Sequence, residues 1–205
     1  IKKDVNGYIP SLFEKEAKQM GRTKNIFTFK FNSKHITPIF NIFTPGYQLS
    51  DTLFCYGSVN SSTMENNISL EINRLNTPEV EINKLFMRLK TNRQKAILNT
   101  LTNRLKVGES FVFDNFTINN QAAQDSLVTN LFWNNWEGKK NSASFYTSTS
   151  FKTLQSGDVE SFVHLLPSKF MINNSAWQML PATFKVSSVG VDVDGFLAQN
   201  GEQML

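Results

Sequence analysis

Three side chains in the sequence, His35, His164 and Cys55, belong to the types that most often act as bases or nucleophiles. A catalytic nucleophile needs a base beside it, and no motif brings these three residues together. His164 lies within an apolar segment, His35 lies in a polar turn, and Cys55 is flanked by Phe54 and Tyr56. These settings favour structural roles. We therefore expect no catalytic residues and a protein that is not an enzyme.

The carboxylates and glycines indicate no metal or cofactor site. The run Asp192-Val193-Asp194-Gly195 resembles the opening of a calcium loop, but the later ligands, including the bidentate Glu, are missing. Asp158 and Glu160 fit turn positions as well as they fit acid–base roles. A single cysteine excludes an intrachain disulfide and a cysteine-based zinc site. The ten glycines form no phosphate-binding loop. The expected cofactor is none.

Three segments in the second half follow a pattern known from one enzyme family. Tyr-Thr-Ser-Thr-Ser-Phe at 146–151, Phe-Val-His-Leu-Leu at 162–166 and a Leu-Pro-containing stretch at 178–186 resemble the second half of a toxin-type ADP-ribosyltransferase. In that family a catalytic Glu follows the Ser-Thr-Ser strand, whereas Trp177 or Gln178 stands at that position here. Without the carboxylate nothing stabilises the developing cation. The resemblance implies a catalytically degenerate domain that binds a small molecule or a protein.

Charge is distributed unevenly along the chain. Residues 1–106 contain 16 Lys/Arg and 8 Asp/Glu, a balance of +8, whereas residues 107–205 contain 5 and 9, a balance of −4. One segment is purely basic, with Lys84, Arg88, Lys90, Arg93, Lys95, Arg104 and Lys106 and no acidic residue between them. Like charges in such a segment repel one another unless a partner neutralises them. The open alternatives are a nucleic-acid backbone, an acidic neighbouring subunit, or a solvated face.

Two segments have helical signals. Ser11 and Glu14 have the spacing of a capping box, and Gly21 offers a stop, which predicts a short N-terminal helix over 11–20. Thr77 and the Pro78 that follows it have the features of a helix start. An apolar stripe then runs through Ile82, Phe86, Leu89, Ala96, Ile97, Leu101 and Leu105, with a break near 91–92. The pattern predicts one long basic helical insertion over 78–106.

The remaining chain has the alternating pattern of strands. Phe27, Phe29 and Phe31 alternate with polar residues, which is typical of a half-buried strand. Further strands are predicted at 39–43, 53–59, 68–72, 111–113, 127–133, 144–151, 162–166, 170–172 and 183–193. Many short strands with turn signals between them favour a mainly β protein. We expect one domain over 1–205, an N-terminal arm (1–24) followed by a β-rich body (25–205), folded as an antiparallel β-sandwich with a jelly-roll-like topology.

These features together predict a structural protein. The chain starts at Ile1 rather than Met, which suggests a fragment or a product cut from a precursor. Its longest apolar stretches are far shorter than the ~20 residues that span a bilayer, so no membrane insertion is expected. We expect a viral capsid or virion-type subunit, located in the virion, that assembles with copies of itself and sister subunits. The alternative is the degenerate ADP-ribosyltransferase-like binding domain, secreted or cytoplasmic.

Overall fold

A computed structural model describes residues 8–13, 24–34, 37–38, 42, 46–135, 141–201 and 203–204. These residues include the helical turn α1 (Pro10–Phe13) and fifteen strands that all belong to one antiparallel sheet. The strands are β1 (Ile26–Ser33), β2 (Gln48–Asn60), β3 (Glu65–Asn76), β4 (Val80–Thr91), β5 (Ala96–Val107), β6 (Phe111–Ala123), β7 (Ser126–Asn135), β8 (Asn141–Thr153), β9 (Val159–Leu165), β10 (Ser168–Ile172), β11 (Ser175–Met179), β12 (Ala182–Ser187), β13 (Gly190–Asp194), β14 (Ala198–Asn200) and β15 (Gln203–Met204). The prediction of a mainly β, antiparallel protein is confirmed.

The strand order is that of a meander. From β1 to β8 each strand pairs with the next one in the chain, and β8 then divides the sheet. Its first half pairs with β10, which leads to β11, β14 and β15, and its second half pairs with β9, which leads to β12 and β13. A jelly roll instead connects strands by Greek-key crossings between two sheets. The jelly-roll topology is therefore wrong for the described strands, because each of the first eight strands pairs with its neighbour in the chain.

Tight turns whose residues have positive φ connect neighbouring strands and so determine this order. Gln124 and Asp125 join β6 to β7 with φ values of 50° and 55°, and Asn173 and Asn174 join β10 to β11 with 51° and 67°. Two consecutive residues with positive φ are the mark of a type I′ turn, whose twist matches that of the flanking strands. Asn and Asp tolerate this conformation better than most residues.

Directly paired residues lie on the same face of a sheet, so rows of pairs define its two faces. The first row begins at Phe27 in β1 and passes through the strands of the meander to Val193 in β13; we call its face the apolar face. Its members are Phe27, Val59, Asn66, Thr91, Ala96, Ala122, Leu127, Thr149, Val163, Phe184 and Val193. The adjacent row defines the polar face, with Thr28, Ser58, Asn67, Lys90, Ile97, Gln121, Val128, Ser148, His164, Thr183 and Asp194.

The predicted long helix over 78–106 is wrong, because this segment forms the β4–β5 hairpin. The Thr77 hydroxyl accepts hydrogen bonds from the amides of Glu79 (3.3 Å) and Val80 (2.9 Å), as a helix cap would, but here it closes the β3–β4 turn. The break predicted near 91–92 is the hairpin turn itself, where the Asn92 side chain accepts from the amide of Lys95 at 3.0 Å. Local hydroxyl–amide bonds of this kind serve turns and helix caps equally well.

Two other predictions change at the ends of the chain. Of the N-terminal helix predicted over 11–20, the described residues contain only the single turn α1, so that helix is not supported, and 14–20 lie outside the description. The last predicted strand, 183–193, is a hairpin of β12 and β13 around Ser188 and Val189. The strand predicted over 39–43 falls almost entirely outside the described residues.

Close packing is concentrated in two places on the sheet. Tyr8 is almost fully buried, and its hydroxyl donates to the Asn92 carbonyl oxygen at 2.5 Å. An aromatic row crosses five strands with centroid distances of 5.1 to 6.2 Å; its rings are Phe113, Trp133, Phe145, Phe170 and Trp177. This row leads to a small buried cluster contributed by both arms of the divided sheet; its members are Leu165, Met179, Ala182 and Ala198. No helix among the described residues has the length and apolarity needed to cross a membrane.

Candidate interaction surfaces

The seven basic residues predicted to contact a partner lie on the β4–β5 hairpin in three groups. Arg93 and Lys95 lie at the turn, and Arg88 and Lys90 lie just before it on the polar face of β4. Lys84 lies alone in mid-strand with a φ of 54°. Arg104 and Lys106 lie at the opposite end, on β5. The structure thus brings four of the seven together and separates the other three from them.

The four residues near the turn, which we call the basic tip (Arg88, Lys90, Arg93 and Lys95), have no carboxylate within ion-pair distance among the described residues. The guanidinium of Arg88 donates to the Asn67 side-chain oxygen at 3.2 Å, and that of Arg93 donates to a backbone carbonyl at 3.1 Å. Lys90 and Lys95 line a cleft of about 380 Å³. The cleft is also lined by Ser58, Glu65, Asn66, Asn67, Thr91, Asn92 and Ile97. Amide and hydroxyl groups beside unpaired cations suit an acidic ligand.

Two arginines at the far end, Arg74 and Arg104, have carboxylate partners within the sheet. The Arg74 guanidinium lies 2.9 Å from the Glu81 carboxylate, and that of Arg104 lies 3.7 Å from Asp114. The pKa of the Glu81 carboxyl lies below its usual value, chiefly because the Asn83 amide donates a hydrogen bond to it. Partial burial opposes this shift, and the charge of Arg74 adds to it. Sequence reasoning could not separate these ion-paired residues from the basic tip, because their partners are on neighbouring strands.

A second groove extends the basic region to the edge of the sheet. It has a volume of about 500 Å³, and its lining includes Lys30 from β1, Tyr56 from β2 and Arg88 from β4. The ammonium of Lys30 lies 5.2 Å from the centre of the Phe54 ring, a cation–π distance. Lys30 was not among the residues predicted from the sequence, where it appears only as the polar partner of three phenylalanines.

The apolar face is only partly covered. Tyr8 lies over one end of it and forms a cleft of about 370 Å³ with side chains of five strands. The lining is mostly apolar and includes Phe27, Phe29, Val59, Ile68, Leu89 and Ala96. At the edge of this face Phe27 remains 50% exposed and Phe31 48% exposed. An apolar surface of this kind usually marks an interaction site.

Two edge strands of the sheet, β1 and β13, carry charges of opposite sign. Among the described strands, β1 pairs only with β2, and Lys24, Lys30 and Lys34 are the charged residues within 24–34. Within the same described residues β13 pairs only with β12, and its charged residues are Asp192 and Asp194. Each edge therefore presents unpaired backbone groups together with charge of one sign.

Two of the residues considered for catalysis, His164 and Cys55, lie on opposite faces of the sheet. His164 is exposed on the polar face, where a hydrogen bond of 3.1 Å joins its Nδ1 to the Thr183 hydroxyl. Cys55 is half-buried on the apolar face, and His35 lies outside the described residues. The described part of the chain contains no group of three His, Cys, Asp or Glu side chains that could hold a metal ion.

The acidic residues considered in the sequence have local partners. The Ser156 hydroxyl donates to the Asp158 carboxylate at 2.8 Å within a turn. The Glu160 carboxylate lies 2.9 Å from the Lys185 ammonium. The pKa of Lys185 is raised, first by its hydrogen bond to Glu160 and then by the charge of that carboxylate, while burial opposes the shift. Asp192 also favours the charged form of Lys185.

The segments that resemble an ADP-ribosyltransferase lie on neighbouring strands. Residues 146–151 belong to β8, 162–165 to β9, and 178–186 span the end of β11 and most of β12. Trp177 packs in the aromatic row, where its ring is stacked on Phe170 at 6.2 Å. Comparisons of the chain with protein-family models, curated proteins and solved structures found no match.

Proposed function

We propose that this chain is a structural subunit that assembles with other copies of itself through its sheet. The observation that carries the proposal is the distribution of apolar side chains in the described residues. Eighteen large apolar residues there are exposed, on both faces and in connections, whereas nine apolar residues are buried, three of them alanines. A sheet with one apolar face normally buries it against a second layer. Assembly would supply that layer or extend the sheet.

Burial of these exposed side chains would favour association. Complete burial of a Phe or Val side chain contributes about 1.5 to 3 kcal/mol. A micromolar dissociation constant corresponds to a net free energy of association of about 8 kcal/mol. This net value already includes the cost of the translational and rotational freedom that is lost on association. Burial of the exposed half of a few such side chains contributes less than this, so association at that strength requires many of the exposed apolar residues together with backbone pairing at an edge.

A virion is the setting in which we expect this subunit, with sister subunits alongside copies of itself. Two features support a shell or fibre component: the size of the continuous sheet relative to its buried core, and the open edges with opposite charge. The alternative, a degenerate ADP-ribosyltransferase-like binding domain, predicts a small-molecule ligand instead of self-association.

Sedimentation velocity over a concentration series from micromolar to millimolar tests the proposal. We expect species larger than the 23.3 kDa chain whose fraction rises with concentration. A single monomeric species throughout would contradict it. Titration with a nicotinamide dinucleotide in a calorimeter tests the alternative, and we expect no heat of binding.

The basic tip supports a second role, contact with an acidic partner such as a nucleic-acid backbone. Four cations without carboxylate partners among the described residues, beside a cleft rich in amide and hydroxyl groups, favour polyanion binding over a merely solvated face. Binding through these groups would depend strongly on salt and weakly on nucleotide sequence.

A further inference from the structure

The open edge strands β1 and β13 have the same arrangement of apolar and polar sides. Phe27 in β1 and Val193 in β13 belong to the row that defines the apolar face, and Thr28 and Asp194 belong to the row that defines the polar face. Side chains alternate along a strand, so Lys30 shares the polar face with Thr28. Each edge therefore presents apolar side chains on one side of the sheet and charged ones on the other.

The apolar side chains of both edges are exposed. In β13, Val191 is 58% exposed and Val193 is 55% exposed, values similar to those of Phe27 and Phe31 in β1. Pairing the two edges with their apolar faces on the same side would place these valines beside the phenylalanines. Apolar neighbours on adjacent strands stabilise a sheet.

Strand direction then determines how two copies can join. Ten successive antiparallel pairings connect β1 to β13, so the two strands point the same way. A second copy placed beside β1 with its apolar face on the same side therefore presents β13 as a parallel partner. Turning that copy over would make the pair antiparallel, but it would place Asp192 and Asp194 beside the phenylalanines. Placing carboxylates against an apolar surface is costly.

Charge disfavours pairing between like edges. Joining two β1 strands would bring Lys30 toward its copy, and joining two β13 strands would bring the aspartates together; like charges across strands are destabilising. Joining β1 to β13 places Lys30 near Asp194 on the polar face. We infer that copies of this chain associate head to tail, with β13 of one copy adding as a parallel strand to β1 of the next. This inference rests on the proposed assembly. A heterologous junction of this kind repeats into a ring or an open filament.

Charge reversal at the two edges tests the junction. We expect Lys30→Glu and Asp194→Lys each to raise the dissociation constant about 3- to 10-fold, as expected for losing one exposed charge pair and adding repulsion. An equimolar mixture of the two variants should recover wild-type association, because each reversed edge then meets an oppositely charged one. Sedimentation at low ionic strength gives the readout, since salt screens exposed charges.

The matched controls change the net charge by the same amount at positions away from the edge strands. Lys169→Glu lies on β10, which pairs with β8 and β11 in the interior of the sheet, and Glu109→Lys lies in the β5–β6 turn. We expect both to associate as the wild type does. If the wild type associates but the edge variants behave like these controls, the head-to-tail junction is wrong and the proposed assembly stands. If the wild type remains monomeric, both are wrong.

Chemical cross-linking identifies the contact directly. A carbodiimide joins an amine to a carboxylate in contact with it, and mixing isotopically labelled with unlabelled protein distinguishes links between copies from links within one copy. We expect a link between copies from Lys30 to Asp192 or Asp194. Links between copies that join only other sites would overturn the inference even where charge reversal alters association.

Discussion

Tyr8 and Asn92 are 84 positions apart in the chain, yet the Tyr8 hydroxyl donates to the Asn92 carbonyl oxygen at 2.5 Å. The backbone of Tyr8 is also held, because its carbonyl accepts from the Asp125 amide at 3.0 Å. The Asp125 carboxylate in turn accepts from the Ser11 amide at 2.8 Å. Residues 8–11 are thereby attached to two different hairpin turns of the sheet.

Substitutions at Tyr8 should separate the hydrogen bond from the packing of the ring. Tyr8→Phe removes only the hydroxyl, and we expect a loss of about 0.5 to 1.5 kcal/mol in the free energy of unfolding. Tyr8→Ala also removes the ring from the apolar face, and we expect a loss of about 3 to 5 kcal/mol. Urea unfolding measures both values. Equal losses for the two variants would show that the ring contributes nothing.

Gly57 should not tolerate a side chain. A Cβ at this position would lie 2.5 Å from the Asn67 carbonyl oxygen and 3.0 Å from the Ile68 Cα, both backbone atoms of the neighbouring strand. Gly57→Ala must therefore separate β2 from β3, and we expect a loss of about 1 to 3 kcal/mol in the free energy of unfolding. The adjacent Ser58→Ala is the control, with an expected change of less than about 0.5 kcal/mol. A Gly57→Ala protein as stable as this control would contradict the prediction.

The interaction of Glu81 with Asn83 and Arg74 should make the free energy of unfolding depend on pH in the acidic range. Its pKa in the folded state is lowered from 4.5, so the folded state favours the ionised carboxylate. This contribution is present above pH 4.5 and is lost as the pH falls through the lowered pKa. We expect Glu81→Gln to reduce stability at neutral pH and the difference from wild type to shrink in acid. Urea unfolding across this pH range measures it; a difference independent of pH would refute the assignment.

The basic tip should bind polyanions in a salt-dependent way. Replacing Lys90, Arg93 and Lys95 by Ser should weaken binding of a single-stranded oligonucleotide. It should also reduce the slope of log K against log salt concentration by about 2, at ~0.7 per contact. The control replaces Arg74, Arg104 and Lys106 by Ser, which changes the net charge equally but removes cations near carboxylates. Fluorescence anisotropy gives both slopes. Equal effects of the two triple variants would mean that oligonucleotide binding depends on net charge alone.

The sequence predicted the sheet better than its connections. The alternation of Phe27, Phe29 and Phe31 was sufficient to locate β1, because these three phenylalanines lie on one side of that strand. The β4–β5 hairpin was misread because Phe86 and Leu101 lie on the polar face as a directly paired couple. Their presence obscures the period of two and completes an apparent helical stripe.

The interaction surfaces were less accessible to sequence reasoning. The basic residues were visible as a run, but only strand pairing shows that Arg104 lies opposite Asp114. Similarly, the alternation of valine and aspartate in 189–194 indicates a strand with one wet face, but not that it ends a sheet. Which strand is at an edge depends on the order of all the others, and no local pattern records that order.

The meander has a consequence for how the chain acquires and loses its structure. Because each strand from β1 to β8 pairs with its immediate successor, the contacts that define this part of the sheet form between segments close in the chain. Closing short loops costs little entropy, so growth one strand at a time is rapid and could proceed during synthesis. The same connectivity lets outer strands detach singly, so partial fraying from an end would precede global melting.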